Sequence, residues 1–355
     1  MNSKKLAAAA VLPFIATLAA AQTRWDMPTP YPDGNFHTKN VVQFAADVAK
    51  STGGKLQINV HSNGSLIKMP EIKRAVLTGQ VPIGELLVSV LANESPLFAF
   101  DSNPFLANSY AKERKLWGIA RPYLEKRLDA QGIKLLYSVA WPPQGIYAKK
   151  PIDSVADLKG AKFRTYSPST SRFAELMGAI PTTVQVPEIP QAFRTGLVDS
   201  MITSGATGVD TQAWDYLSHY YIPQAFRTGL VDSMITSGAT GVDTQAWDYL
   251  SHYYDTQAFL PQNIVIVNKD AWGKLDAATQ KALTDAAKAA EERGWKTSES
   301  ENERYVKTMA DKGVKIVKPS ARLSAEFAKI GKQIADEWAQ KAGPEGEAIL
   351  KTFAR

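Results

Sequence analysis

The sequence predicts an α/β fold of two domains, and three observations support this prediction. Short apolar runs typical of β-strands alternate with longer segments whose apolar residues recur at helical spacing, which favours α/β over an all-α or all-β fold. Turns containing Gly or Pro follow several of the predicted strands. The 355 residues are enough for two domains of ordinary size, each with its own core.

The first 21 residues have the order of a secretory signal peptide. A charged start, MNSKK, precedes an apolar run, LAAAAVLPFIATL, and a small-residue stretch, AAAQT. The apolar run contains Pro13 and is too short for a membrane span, and no later stretch approaches about 18 apolar residues. We therefore expect cleavage near Ala21 and a soluble mature chain in the periplasm.

The composition excludes several classes of function. The chain contains no Cys, so no disulfide is expected and packing alone must stabilise the exported fold. Its Lys and Arg residues form no stripe interleaved with aromatic residues, which argues against a nucleic-acid partner despite a formal net charge of +6. The four His residues show no metal-ligand spacing, and TSGATG lacks the Lys of a phosphate-binding loop. We expect no metal, no cofactor and no catalytic residue.

Strands and helices are predicted in a regular order along the first two thirds of the chain. Strands are expected at residues 23–28, 55–61, 81–88, 133–141, 146–150, 161–166, 182–186 and 263–268. Helices are expected between them at residues 36–50, 70–77, 112–129 and 169–177. The loops TPYPDGN, HSNGS, AWPPQG and TYSPST follow strands, and such loops gather at one edge of an open parallel sheet. These four loops are expected to share one crevice.

Helices dominate the C-terminal part. Residues 270–312 are rich in Ala, Lys and Glu, which predicts one long helix or two abutting helices. A helix of about 40 residues would be about 60 Å long, so it would pack across both domains. The short strand GVKIV and two closing helices, at 321–341 and 345–353, are expected after it.

No linker-like segment separates the domains, so the chain is expected to cross between them near residues 141–146 and 257–263. This assigns residues 22–142 and 260–320 to domain I and residues 143–259 and 321–355 to domain II.

A stretch of 33 residues occurs twice without a gap or a difference, at 189–221 (the first copy) and 222–254 (the second copy). One copy is predicted to form a helix at 189–195, a strand at 198–203 and a second helix at 209–220. Structural repeats drift in sequence, and stable arrays generally contain three or more units. Two units without drift indicate a recent tandem duplication, or a fault in the recorded sequence, rather than a functional repeat. Either copy is expected to supply the strand of the sheet, or a hybrid that takes the first helix and the strand from one copy and the last helix from the other.

Arg164 is the most informative single residue. It lies in a short apolar strand next to Phe163 and near Tyr166, where a charge is costly unless it is paired. Its planar guanidinium suits a carboxylate held by two hydrogen bonds. That carboxylate belongs either to a ligand or to an internal Asp or Glu, and composition favours neither.

A series of motifs surrounds Arg164 and extends along the chain. The central region contains, in order, DLKGAKFR, LMGAIP, PE and QAFRTGLVDS. The part of the chain before it contains GGKLQINVHSNGSL, AVLTGQVPIGE, SPLFAFDSNPFL and QGIKLL. The part after it contains LPQNIVIVNKDAWGKLDAATQKAL and GVKIV. In this order the motifs resemble the solute-binding proteins of TRAP (tripartite ATP-independent periplasmic) transporters, over nearly the whole chain after residue 21. The resemblance implies a two-domain periplasmic-binding-protein fold, with a ligand cleft between the domains and a long helix spanning both.

The resemblance also implies ligand contacts in the second domain. Arg164 of KFR matches the family's carboxylate-binding arginine. Gln144 of WPPQG stands where some relatives carry a second arginine, which argues against a second strong negative charge on the ligand at this point. The amide of Gln144 would instead bind a hydroxyl or keto oxygen. The contact residue after VDS matches Thr203 or its twin in the second copy, Thr236.

Further contacts are expected where the first domain meets the cleft. Trp141 would form an apolar wall of the cleft or pack as a core aromatic, and the same alternatives hold for Tyr31. Glu85 would contact the ligand or serve as a structural carboxylate. Asn35 and Ser89 complete the expected set.

The function implied by the resemblance is binding, not catalysis. A monomeric protein would capture a small organic acid, close its two domains over it, and deliver it to the integral-membrane permease of a TRAP transporter. Gln144 favours a monocarboxylate with hydroxyl, keto or aromatic groups over a compact dicarboxylate. Two alternatives are a binding protein that reports to a membrane sensor and a periplasmic enzyme acting on a small acid. A chain without Cys and with only three independent His positions offers little to the enzyme. The binding protein of an ATP-driven importer fits the fold, but the Arg164 region argues against it.

Overall fold

The computed structural model describes residues 22–148, 151–183, 233–238, 251–313 and 315–355. In chain order, the α-helices and β-strands in these ranges are β1 (Thr23–Pro28), α1 (Phe36–Ser51), β2 (Leu56–His61), α2 (Met69–Leu77), β3 (Ile83–Leu87), α3 (Tyr110–Asp129), β4 (Ile133–Ala140), β5 (Gln144–Ala148), β6 (Lys162–Thr165), α4 (Pro168–Leu176), β7 (Ile180–Thr183), β8 (Ser233–Ser237), β9 (His252–Tyr254), β10 (Gln262–Asn268), α5 (Lys269–Gly273), α6 (Ala277–Asp311), β11 (Lys315–Val317) and α7 (Ala321–Phe353). The predicted α/β class is confirmed.

Two hydrogen-bonded groups of strands, β1-β2 and β3-β10-β4, lie side by side and together form the first, N-terminal sheet, which helices cover. β1 pairs in parallel with β2 and lies beside β3. β10 pairs antiparallel with β3 on one side and with β4 on the other. β3 and β4 therefore run in the same direction, and their carboxyl ends lie at the edge where β10 begins. α1 turns a fully buried face toward this layer through residues at helical spacing, namely Val41, Phe44 and Val48.

The second sheet has six strands, in the order β11-β9-β5-β8-β6-β7. β6 is parallel to both β7 and β8, whereas β5 is antiparallel to β8 and β9. The first residue of β5, Gln144, is therefore opposite the last residue of β8, Ser237. The carboxyl ends of β6 and β8 and the start of β5 share one edge.

The chain crosses between the two sheets at two extended segments that lie side by side, and it crosses again through α6, which leads from β10 to β11. Residues 141–143 join β4 to β5, and residues 255–261 join β9 to β10. The Trp141 N–H donates to the Pro261 carbonyl at 2.7 Å. The Gln144 N–H donates to the Phe259 carbonyl, and the Ala258 N–H donates back to Gln144, both at 2.9 Å. The two segments run together where the sequence predicted crossings.

Two long helices bind the sheets to each other. α6 packs against α1 and β4 and also against β11, so it contacts both sheets as predicted for a long spanning helix. α7 packs against α3 and α4 and against the 3-10 segment Pro96–Ser102. Gly343, with φ of 65° and Pro344 behind it, interrupts α7, which accounts for the two closing helices predicted there. None of the helices in the described ranges combines the length and the apolar character needed to cross a bilayer.

The duplicated region contributes through its second copy. β8 comes from this copy, whereas the first copy, with its predicted helices, its strand and Thr203, lies outside the described residues. β9 was not predicted. Residues 252 and 253 are the twins of 219 and 220, which end a predicted helix, but they form a strand because β5 and β11 pair with them on either side. The helical interpretation is therefore wrong for this end of the second copy.

Candidate functional site

Two predicted crevice loops lie against each other and against the first crossing. The Asn63 N–H donates to the Tyr31 carbonyl at 2.7 Å, and the Gly64 N–H donates to the Thr29 carbonyl at 3.0 Å. These bonds join HSNGS to TPYPDGN. The ring of Tyr31 meets the indole of Trp141 edge to face, with 5.0 Å between centroids. TPYPDGN thereby contacts AWPPQG.

The fourth loop, TYSPST, reaches the same edge through Tyr166. Its hydroxyl donates to Oε1 of Gln144 at 2.9 Å, while Nε2 of Gln144 donates to the Pro142 carbonyl at 2.9 Å. Both side chains are buried. Two hydrogen bonds fix the orientation of the Gln144 amide, so a neutral group of defined polarity stands at the start of β5. The predicted gathering of the four loops is confirmed.

Arg164 and Thr236 lie in neighbouring strands of the same sheet. The backbone of Arg164 is opposite Met234 of β8 and Thr182 of β7, two residues before Tyr166. The backbone of Thr236 is opposite Gly145, next to Gln144. The sheet register thus brings the backbone positions of these expected contacts to adjacent strands near the edge at which Gln144 begins β5.

A residue that sequence reasoning missed connects the expected contacts of the first domain. Oδ1 of Asn263, the second residue of β10, accepts hydrogen bonds from the Tyr31 hydroxyl and from Nε1 of Trp141, both at 3.0 Å. Its Nδ2 donates to Oε1 of Glu85 at 3.1 Å. An Asn in the otherwise apolar run NIVIV was the available signal, because a buried amide is costly without partners.

Glu85 is buried in this cluster. Its Oε2 accepts a hydrogen bond from the Thr29 hydroxyl at 2.5 Å, and its Oε1 lies 3.6 Å from Nδ1 of His37. Burial raises the pKa of Glu85 to about 7, although the bonds from Thr29 and Asn263 oppose this rise. Burial also lowers the pKa of His37 well below its ordinary value, so its imidazole is neutral at pH 7. The cluster is therefore weakly charged.

His37 is itself enclosed by aromatic rings. Its centroid lies 4.1 Å from that of Phe36, 4.4 Å from that of Trp141 and 5.8 Å from that of Tyr31. Neither ring nitrogen has a hydrogen-bond partner in the described part of the chain. The imidazole is thus held by packing, as part of an aromatic wall.

Two of the expected ligand contacts, Asn35 and Ser89, lie outside the hydrogen-bonded cluster of Tyr31, Glu85, Trp141 and Asn263. Oδ1 of Asn35 accepts a hydrogen bond from the His37 N–H at 2.8 Å and so caps the N-terminus of α1. Ser89 lies in the 3-10 segment Val88–Leu91, and its buried hydroxyl finds no hydrogen-bond partner among the residues described. Neither side chain is hydrogen-bonded to the Asn263 cluster in the described ranges.

A second buried group of polar residues lies behind β10 and was also missed. The Gln262 N–H donates to Oδ2 of Asp101 at 2.7 Å, and Nε2 of Gln262 donates to Oε1 of Glu113 at 2.5 Å. Burial raises the pKa of Asp101 to about 7. Burial, and then the charge of Asp101, raise the pKa of Glu113. Two acids this close in the interior resist double ionisation, so the pair holds a proton near neutral pH.

The site offers rings and oriented neutral hydrogen-bonding groups beside the strand of Arg164. No group of three or more His, Asp or Glu side chains in the described ranges is placed to hold a metal ion. This arrangement is suited to recognising a small polar molecule with an apolar ring or chain.

A family model described as bacterial extracellular solute-binding protein, family 7 (DctP) matches residues 29–238 and 220–341. The two matches overlap within the duplicated region. A family pattern that contains the unit once gives such an overlap when the sequence carries it twice.

Two solved structures from Bordetella pertussis are similar over almost the whole chain. DctP7 is 46% identical with a TM-score of 0.82, covering 94% of this chain and 100% of its own. DctP6 is 44% identical with a TM-score of 0.81, covering 94% and 99%. Both are described as extracytoplasmic solute receptors binding pyroglutamic acid. The C4-dicarboxylate-binding periplasmic protein DctP of Rhodobacter capsulatus is 26% identical, over 88% of this chain and 85% of its own length.

Proposed function

The chain belongs to bacterial extracellular solute-binding protein family 7, the DctP family, and we propose that its ligand is pyroglutamate, a five-membered lactam with one carboxylate. The observation that carries this proposal is its identity of 44% and 46% to two receptors described as binding pyroglutamic acid, over 94% of the chain. The family consists of substrate-binding transport proteins rather than enzymes. We therefore propose that the protein delivers the acid to a TRAP permease in the membrane and acts as a monomer.

The polarity of the site supports a ligand with one negative charge. Arg164 is proposed to bind the carboxylate. Gln144 stands nearby in sheet register as a neutral amide, fixed by Tyr166 and Pro142, and adds no second cation for a dicarboxylate. A lactam has a carbonyl and an N–H, which suit neutral hydrogen-bonding partners.

The other contacts are proposed to enclose the ring of the ligand. Trp141 and Tyr31 would form the apolar walls, and either Thr236 or Thr203 would supply a hydroxyl. Glu85 and Asn35 are proposed to support the wall from the N-terminal sheet, by the hydrogen bonds of Glu85 and the helix cap of Asn35. Ser89 is proposed as a ligand contact, as the resemblance implied.

Closure is proposed to occur between domain I, expected from the sequence at residues 22–142 and 260–320, and domain II, expected at residues 143–259 and 321–355. β11 (Lys315–Val317) pairs with β9 in the six-stranded sheet, so it is assigned to domain II and not to domain I. The paired crossings at 141–143 and 255–261 are the connection about which the domains would rotate. Family membership supports a location outside the cytoplasmic membrane, and we propose export through residues 1–21 with cleavage near Ala21.

A thermal-shift and calorimetric comparison of pyroglutamate, glutamate and succinate tests the proposal. At 100 times its dissociation constant a ligand adds about 2.7 kcal/mol to the free energy of unfolding, which raises the melting temperature measurably. We expect pyroglutamate to give the largest shift. A shift with succinate and none with pyroglutamate would instead favour a dicarboxylate receptor, and steady turnover of a bound acid would favour an enzyme.

A further inference from the structure

Asn263 has a hydrogen-bonding role that is fixed by its neighbours. Its carbonyl oxygen has two lone pairs, and two donors occupy them: the Tyr31 hydroxyl and the Trp141 indole N–H. Its amide nitrogen donates to Glu85. Turning the amide over would place N–H groups against the two donors and an oxygen against a carboxyl oxygen, so only one orientation satisfies all three partners.

All four residues of this arrangement are buried, Asn263 with 2% of its surface exposed. A buried hydroxyl or indole N–H without an acceptor is costly, so removing the amide would free both rings to seek other partners. The two rings meet edge to face, which makes their positions interdependent. The amide thus sets the orientation of both rings together.

We infer that Asn263 is a positioning residue for the ligand site, which holds the rings of Tyr31 and Trp141 in the orientation that receives the ligand. This inference rests on the proposed function, in which the two rings are the apolar walls. Asn263 also lies two residues after the crossing at 255–261, so the orientation of the walls is tied to the segment about which the domains would rotate.

Replacing Asn263 by Ala tests the inference by calorimetry with pyroglutamate. We expect binding to weaken about tenfold or more, because the walls lose their common acceptor. Asn268→Ala is a matched control, since Asn268 is also buried and ends the same strand. Its side chain instead binds the Val76 carbonyl and caps α5. The control should lower the melting temperature and leave the affinity unchanged. An Asn263→Ala protein that is less stable but binds as tightly as the parent overturns the inference.

The isosteric variant Asn263→Asp gives a second readout. At pH 8 the carboxylate of Asp at this position would face the Glu85 carboxyl group with no hydrogen between them, so the affinity for pyroglutamate should be low. As the pH falls toward 5, a proton shared between the two acids restores the missing bond, so affinity should recover relative to the parent at each pH. If Asn263 served folding alone, the variant would show no such recovery at any pH where it is folded. A ratio of variant to parent affinity that does not change with pH would therefore contradict the positioning role.

Hydrogen exchange of the Trp141 indole N–H tests the inference without ligand. The resonance can be assigned with Trp141→Phe, and its exchange should accelerate in Asn263→Ala but not in Asn268→Ala. If the parent fails to bind pyroglutamate, the proposed function is wrong, whereas this exchange measurement still decides whether Asn263 positions the indole. Unchanged exchange in Asn263→Ala overturns the inference.

Discussion

Gln262 and Asn263 are adjacent in β10, and each donates a side-chain hydrogen bond to a different buried carboxyl group. Gln262 donates to Glu113 at 2.5 Å and Asn263 to Glu85 at 3.1 Å. Successive side chains of a strand point to opposite faces, so the two acids lie on opposite sides of the sheet. Burial raises the pKa of both. One strand, entered directly from a crossing, therefore contacts titratable groups on both faces.

The contribution of Asp101 to the free energy of unfolding should decrease as the pH rises from about 4 to about 8. Asp101 keeps its proton up to a pKa of about 7 when folded, against 3.8 in the unfolded chain. Its contribution to the free energy of unfolding is therefore fully present below pH 4 and lost as the pH rises through 7. In urea titrations at pH 5, 6, 7 and 8, the free energy of unfolding of Asp101→Asn should decrease less with pH than that of the parent. The amide of Asn accepts the same hydrogen bond from the Gln262 N–H but does not titrate. An equal pH dependence in the two proteins would contradict the raised pKa.

Arg164→Ala should weaken the binding of pyroglutamate by about 10- to 100-fold or more, because a charged hydrogen-bonding pair contributes about 1.5–3 kcal/mol and its loss leaves the carboxylate unpaired. Arg172→Ala is the control. Arg172 lies only eight positions further along the chain, in helix α4, and it forms a two-point ion pair with Glu337 of α7. It should change stability slightly and affinity not at all. Calorimetry that finds Arg164→Ala as tight as the parent would show that the carboxylate binds elsewhere.

Deleting residues 222–254 should raise the melting temperature and leave pyroglutamate binding intact. The two copies are identical, so deleting either one gives the same chain, and the strand that forms β8 is retained. We expect the melting temperature to rise because the deletion removes one unit of apolar residues, such as those at Phe193, Leu197 and Trp214, for which a family pattern with one unit has no place. Differential scanning calorimetry with and without ligand measures both effects. Loss of binding would show that the second 33-residue unit is needed.

Gly331→Ala should destabilise the protein, whereas Gly118→Ala should not. A Cβ at Gly331 would lie 2.3 Å from the Pro104 carbonyl oxygen, so α7 must shift at a cost of about 1–3 kcal/mol. A Cβ at Gly118 in α3 meets no atom within 4 Å, and Ala there gains about 1 kcal/mol of helix propensity. Chemical denaturation of both variants checks the difference. Equal stabilities would mean that α7 and the Pro104 segment are not in close contact.

Much of the fold was predictable because local patterns carry it. The apolar periodicities located the strands and helices of the N-terminal half to within a few residues, and the Gly- and Pro-containing loops identified the edge at which Tyr31, Trp141 and Gln144 gather. The family match confirms the resemblance to TRAP solute-binding proteins that the motifs around Arg164 indicated.

What sequence reasoning missed depends on partners far away in the chain. β9 has three residues and no strand-like alternation; it is a strand because β5 and β11 pair with it. The partners of Asn263 and Gln262 come from β3, α3 and the loops after β1 and β4, which no local pattern links to β10. Asn35 could have been assigned from sequence as a helix cap, since an Asn directly before a helix is a preferred capping residue. The resemblance of the motifs implied a ligand contact for Asn35, and this role stays a prediction beside the cap.

The side-by-side crossings limit how this receptor can acquire a new ligand. Trp141, Gln144 and Asn263 lie in or directly beside the hydrogen-bonded segments that join the sheets. Because the domains are proposed to turn about these segments, we expect a substitution at any of the three that improves the fit to another acid to disturb the packing of the crossings as well, so selectivity and the rate of opening would change together. We expect divergence among related receptors to begin at Tyr166, in the loop after β6, and at Thr236 of β8, since both lie outside the crossings and specificity can be adjusted there while the rate of release is kept.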